Sequence, residues 1–217
     1  MNKMNYQRQL EEIIRENERA GRVPSLFLHS CCAPCSSYVL EYLSSYFKIT
    51  VFYYNPNIYP DEEYEKRVKE QERLTKEIPA RYPVTFCSGP YDKDRFYDAV
   101  KGLEHTGEGH ERCSACFRLR LSEAARLAAD GGYDYYTTTL TISPMKDAQK
   151  LNEIGAQEGE KYGVKYLPSD FKKKNGYKRS TELSAMYGLY RQNYCGCVFS
   201  KQESLKRNET NESQKGE

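Results

Sequence analysis

The chain has 217 residues, enough for one domain with a small appendage, and its 38% apolar content can supply one sizeable core. A net charge of +2 is close to neutral, so composition alone does not call for nucleic acid. No apolar run approaches the roughly 20 residues that span a bilayer, and the polar start MNKMNYQRQLEEIIREN lacks the apolar stretch of a signal peptide.

These features predict a cytoplasmic protein with no membrane partner. In that compartment the eight cysteines are not a disulfide framework; clustered ones bind metal or do redox chemistry. Tyrosine, with 20 copies, serves a core or a base-stacking surface.

In chain order, residues 5–20 form an amphipathic helix, with Leu10, Ile13 and Ile14 on one side and Gly21 as its stop. Ser25–His29 reads as a strand and Ser36–Phe47 as a helix, with Val39, Leu43 and Phe47 at spacing four. Lys48–Tyr54 is a strand, and Asp61–Ile78 a charged helix capped by Asp61. Val84–Cys87 is a short strand and Lys93–Lys101 a short helix. Cys113–Ala129 is an Ala-rich helix stopped by Gly131 and Gly132. Tyr133–Leu140 is a strand, Lys146–Tyr162 a helix closed at Gly163, Val164–Pro168 a strand and Thr181–Tyr190 a last helix.

Five strands alternating with helices predict right-handed βαβ units and a parallel, three-layer α/β/α fold. The divisions are an N-terminal helix over 1–24, one α/β catalytic domain over 25–200, and a polar tail over 201–217 without periodicity, expected to be disordered. Ligands of such a sheet sit outside the carboxyl ends of its strands, where strand order reverses. The loop after the first strand reads HSCCAPCS.

That loop carries Cys31, Cys32 and Cys35. Cys113 and Cys116 follow in ERCSAC at a helix start, and Cys195 and Cys197 form YCGC. Two thiolates three residues apart can grip one metal or cluster from a single turn, and a helix start is expected to lower thiol pKa. Structural zinc accounts for two pairs but leaves Cys31 and the late pair without a role, so an iron–sulfur cluster with redox function fits better. One intervening glycine lets Cys195 and Cys197 chelate a metal or close a strained, reversible disulfide; a redox dithiol is the favoured reading. Cys87 is a small apolar strand residue. Asn55 and Asn57 flank Pro56 in a rigid turn, with amides free to face the same cleft. FKKKNGYKR puts five basic residues, Lys172, Lys173 and Lys174 among them, beside two aromatics, which suits phosphate contact. His29, His105 and His110 are ligands or acids by type, and GLEHTGEGHERC is a Gly-rich lid.

Together HSCCAPCS, YNPNIYP with EYEKRVKEQ, GHERCSACFRLRL, TTTLTISPMKD, DFKKKNGYKRS and LYRQNYCGCVFS resemble the QueH-type epoxyqueuosine reductases, from about Leu26 to Ser200. The resemblance implies an adenine-nucleotide alpha-hydrolase-like (PP-loop, HUP) fold. It implies deoxygenation of the epoxide of epoxyqueuosine at wobble position 34 of tRNA with a GUN anticodon, the last step of queuosine synthesis. It further implies a [4Fe–4S] cluster on Cys31, Cys32, Cys113 and Cys116, and a second metal, iron, at Cys35 shared with Cys32. Cys195 and Cys197 would be the redox-active pair, Asn55 and Asn57 would line the cleft, and cobalamin would not be used.

The chemistry agrees. Removing an epoxide oxygen takes two electrons and two protons, which a Lewis-acidic metal, a cluster and a thiol pair can serve, given an external electron donor. Tyrosine, Asp147 or metal-bound water could give the proton. One rival is a PP-loop enzyme that thiolates tRNA, but the first loop lacks a glycine for phosphate, so ATP is not expected. The other is a non-catalytic, zinc-stabilised RNA-binding module.

Overall fold

The protein is described from a computed structural model covering residues 4–213, with side chains to residue 207. Its strands are β1 (Ser25–Ser30), β2 (Lys48–Tyr53), β3 (Val84–Ser88), β4 (Tyr135–Thr138) and β5 (Lys165–Tyr166). All pairings are parallel, in the order β3-β2-β1-β4-β5. The central strand SLFLHS is buried from Leu26 to Ser30, polar His29 and Ser30 included, because both its faces are covered.

The period-two geometry of a strand sorts its residues into two cores. Leu26, Leu28, Ile49 and Val51 face one side, where α1 (Tyr6–Arg19) supplies Leu10 and Ile14, and α2 (Ala33–Leu43) supplies Val39, Leu40 and Leu43. Phe27 and Phe52 face the other and stack at 5.0 Å. There α5 (Glu111–Asp130) lays down Ala124, Ala125 and Ala128, and α6 (Ala148–Tyr162) Leu151 and Ile154. The small alanines let α5 approach the sheet closely. Two helix layers thus enclose a parallel sheet, the expected α/β/α architecture. The remaining helices are α3 (Asp61–Glu77), α4 (Lys93–Val100), α7 (Gly176–Met186) and α8 (Val198–Ser213). No described helix is long and apolar enough to cross a membrane.

Several boundaries differ from the expectation. The second helix begins at Ala33, not Ser36, because Pro34 fits a helix's first turn, where no backbone N–H is needed. Asp61 is the first helical residue rather than the cap, and its carboxylate pairs with Lys93 at 2.8 Å. The fourth strand stops at Thr138 and continues as a 3-10 turn over Thr139–Ile142. The largest difference is α8, which runs through the stretch expected to be disordered; residues 214–217 of that stretch lie outside the described residues. Its anchorage explains it. Phe199 packs against Phe96, the Arg112 guanidinium lies 4.5 Å over the Phe199 ring, and Arg112 pairs with Glu203 at 2.7 Å. Few of these contacts leave a periodic apolar trace.

Strand order reverses between β1 and β4, so a crevice opens beyond their carboxyl ends. The cysteine loop follows one of these strands and the Thr139 turn the other. They are tied by the Cys31 amide, which donates to Thr139 Oγ1 at 3.2 Å.

Candidate metal and redox centre

The crevice is a cavity of about 500 Å³. Cys31, Cys32 and Cys35 form one wall, and their sulfurs lie within 4.8 Å of one another. The local sequence sets this up. Cys32 is extended and immediately precedes α2, so Cys35 sits in that helix's first turn and its sulfur comes back beside the other two. Three thiols so close cannot all be charged without a cation. The arrangement settles on one negative charge: hydrogen bonds from Cys32 and Cys35 hold the Cys31 thiol well below its ordinary value, and Cys31 in turn pushes Cys32 up to about 12. Cys35 is raised, first by Cys31 and then by Cys32. Three sulfurs on one small sphere, with the fourth side open to the cavity, fit a metal ion with a vacant coordination position.

Cys113 and Cys116 open α5 and line a smaller adjoining chamber together with Cys195 and Cys197. The expected effect of the helix start on their acidity is overturned: burial raises Cys113 and pushes Cys116 up to about 11. Cys195 borders both spaces. All eight cysteines are free thiols, so the disulfide that the CGC spacing permits is not formed here. The CGC loop is nonetheless tightly held. Tyr59 donates its amide to Gly196 O at 2.8 Å, Cys195 its amide to Ser200 Oγ at 2.9 Å, and Ser200 its amide to Cys197 Sγ at 3.4 Å. Gly196 has φ +117°, a conformation that excludes a side chain. Burial pushes Cys197 up to about 12. Cys87 packs on β3 against the second core, as expected of an apolar strand residue.

Asn55 and Asn57 both line the cavity and both are buried. Asn55 Nδ2 donates to Ser30 O at 2.8 Å, and its Oδ1 accepts from Arg120 at 3.1 Å, which fastens β1 to α5. Asn57 Oδ1 has no hydrogen-bond partner among the described residues. Lys172, Lys173 and Lys174 are not in the cavity wall. Lys172 pairs with Asp170 at 2.9 Å, Lys174 pairs with Glu11, and Lys173 is exposed. From the same stretch it is Tyr177 that reaches the wall, with the Arg191 guanidinium 5.6 Å from its ring.

The remaining candidates have structural duties. His29 is fully buried between Thr138 Oγ1 (2.8 Å) and Tyr54 O (3.1 Å), and burial lowers it to about 3, so it is a neutral strut rather than an acid. His110 caps α5, and neither it nor His105 lines the cavity, although Glu108 of their loop does. Asp147 caps α6 by accepting the Gln149 and Lys150 amides at 2.8 and 3.3 Å.

Five cations line the wall, Arg67, Arg120, Lys146, Arg191 and Arg207, and none carried an assignment from sequence. Arg67 pairs with Glu63 at 2.6 Å. Lys146 is opposed by burial, yet Cys195, Cys31 and Cys35 hold its ammonium above the ordinary value. Arg120 is 1% exposed and borders both spaces. One signal could have found it: Cys113, Cys116 and Arg120 recur at spacings of three and four, one face of a helix.

Residues 26–203 match the family model described as epoxyqueuosine reductase QueH. The chain is 45% identical over 202 residues to the epoxyqueuosine reductase QueH of Staphylococcus epidermidis, covering 91% of this chain and 85% of that protein. It is 42% identical to the Streptococcus pyogenes protein of the same name (91% and 78% covered) and 36% identical to that of Thermotoga maritima (81% and 90%). The cysteine-walled crevice, the CGC loop beside it and the buried asparagines all fall inside the matched span, and the chain belongs to the epoxyqueuosine reductase QueH family.

Proposed function

We propose that this chain is an epoxyqueuosine reductase, an oxidoreductase of tRNA processing that acts in the cytoplasm on the wobble nucleotide of tRNA with a GUN anticodon. The observation that carries this reading is the convergence of Cys31, Cys32, Cys35 and Cys195 on one cavity at the switch point of the sheet. A crevice of about 500 Å³ is of the size that takes a single modified nucleoside rather than a helix of RNA.

The reaction breaks both C–O bonds of the epoxide, forms a C=C bond, and consumes two electrons and two protons to release water. Cys31, Cys32, Cys113 and Cys116 would hold a [4Fe–4S] cluster, with iron on Cys35 and Cys32. Bound there, such groups supply single electrons and Lewis acidity. The chain's own groups match the remaining needs. Cys195 and Cys197, oxidised together to a disulfide, release two electrons and two protons, the stoichiometry of the reaction, and an external donor restores the thiols. Lys146 keeps its proton beside Cys195 and is a better-placed proton source than Asp147, whose carboxylate is engaged as a helix cap. Asn55 fixes the floor of the cavity. Tyr177 offers a ring at its wall for base stacking, with Arg191 against it, and Lys173 is left to meet phosphate.

Comparing Cys32→Ser with Cys87→Ser tests the assignment. The first is expected to abolish conversion of epoxyqueuosine tRNA and the second to leave it near wild type. Equal activity in the two proteins would overturn the ligand assignment.

A further inference from the structure

Two polar atoms in the wall between the cysteine groups lack partners. Arg120 is 1% exposed; its Nε donates to Cys116 O at 3.3 Å and its Nη1 to Asn55 Oδ1 at 3.1 Å, but its Nη2 meets no acceptor among the described residues. Asn57 is 3% exposed, and its Oδ1 meets no donor. Both residues border the cavity and the adjoining chamber. Burying such atoms unpaired costs as much as a lost hydrogen bond, and more for a charged group. Native folds keep them where something else supplies the partner.

The two atoms are complementary in kind: a charged donor and a neutral acceptor. One oxygen that first accepts and later donates would satisfy both. An epoxide oxygen does this in sequence. It begins as an acceptor only, gains negative charge as its C–O bonds break, and becomes a donor once protonated.

We propose that Arg120 and Asn57 form the subsite for the substrate's oxygen: Arg120 Nη2 donates to the epoxide oxygen, and Asn57 Oδ1 accepts from that oxygen after it is protonated. The inference rests on the epoxide-reducing function proposed above. Neither residue supplies an electron or a proton; both electrons and both protons still come from the redox and acid groups, and the oxygen leaves as water. The gain is differential. A cation binds the developing oxyanion far more strongly than the neutral epoxide, and hydrogen bonds from Arg120 to Cys116 and Asn55 fix the guanidinium beforehand, so no reorganisation is needed during the step.

The test uses the metal-loaded protein and two anticodon stem-loop RNAs, one bearing the epoxide and one the olefin product. Affinity for each RNA, single-turnover rate, iron content and the reduction potential of the metal centre are measured for wild type, Arg120→Gln and Asn57→Ala. Wild type is expected to bind the epoxide RNA about tenfold more tightly than the olefin RNA, the worth of one charge-assisted hydrogen bond. Arg120→Gln should erase that preference, leave olefin affinity unchanged and slow turnover about 100-fold. Asn57→Ala should keep the preference, because its acceptor acts only after protonation, and slow turnover about tenfold. It should also fold normally, because it deletes an acceptor that has no partner, so the inference stays testable if Arg120→Gln fails to fold. A retained preference in folded, iron-containing Arg120→Gln overturns the proposal, as does full-rate turnover by Asn57→Ala. A shifted reduction potential with the preference intact overturns it too, by turning the guanidinium toward the metal centre. Wild type that binds both RNAs but converts neither removes the underlying function instead, and the inference with it.

Discussion

Asn55→Ala isolates the contact that joins the two cysteine-bearing elements. The side chain is 1% exposed and makes two bonds: Nδ2 to Ser30 O at 2.8 Å and Oδ1 from Arg120 Nη1 at 3.1 Å. The first is a neutral bond to buried backbone, worth about 1 kcal/mol; the second is charge-assisted, worth about 1.5–3 kcal/mol. Arg120 Nη2 already lacks a partner, so the variant leaves both terminal nitrogens of a buried guanidinium unpaired among the described residues. The expected loss is therefore about 3–4 kcal/mol, a large part of the roughly 5–15 kcal/mol that holds a domain. With a urea slope of about 2 kcal/mol per molar, the unfolding midpoint should fall by about 1.5–2 M with the slope unchanged. Arg120→Met and the double variant complete a cycle, whose coupling should match the shared bond at about 1.5–3 kcal/mol. A loss below about 1 kcal/mol, or strict additivity, would refute the view that Asn55 fastens β1 to α5.

Other consequences can be measured in the same way. Gly196→Ala puts a Cβ where φ is +117° and only 3.0 Å from Arg67 Nη1, so the CGC loop must shift; conversion should fall at least tenfold while the unfolding free energy falls by about 1–2 kcal/mol at most. Asp134 Oδ2 accepts from the Ser25 amide and hydroxyl, both at 2.8 Å, and these bonds hold its carboxyl below the usual range. A carboxyl lowered by folding stabilises above its unfolded value and loses that contribution as pH falls through the folded value. Asp134→Asn should therefore cost about 1 kcal/mol at neutral pH, allowing for solvent screening, and in denaturation curves this difference should start to shrink near about pH 4 and vanish only once the pH is below the lowered folded value. Lys173→Glu should weaken tRNA binding and reduce the salt slope by about one, measured by titration at several salt concentrations; an unchanged slope removes the basic stretch from the RNA surface.

How far the sequence could be read follows from which physical signals are local. Alternation of apolar runs with helical spacing identified all five strands and the layered architecture, because the inner strands of a parallel sheet are covered on both faces and carry short apolar runs between helices. The switch-point rule then places HSCCAPCS at the crevice, where the fold has it. Non-local features escaped. The helix Val198–Ser213 shows little periodicity because Arg112, Phe96 and Phe199 anchor it, and two of these come from elsewhere in the chain. FKKKNGYKR drew attention to its lysines, yet the residue that reaches the cavity is Tyr177, since Lys172 and Lys174 are paired nearby. Arg120 was legible in principle from its helical spacing to two cysteines. That Asn57 and Arg120 carry unpartnered atoms depends on three separate elements meeting, which no single stretch records.

Removal of an oxygen atom from a tRNA nucleoside in the cysteine-walled crevice can be tested directly. Anaerobically purified protein, assayed for iron and sulfide, is incubated with dithionite and epoxyqueuosine-containing tRNA, and the digested nucleosides are weighed by mass spectrometry. Iron and sulfide are expected in the protein, with a nucleoside lighter by one oxygen atom whose yield is abolished in Cys32→Ser. Zinc without iron, together with an unchanged nucleoside, would contradict this function.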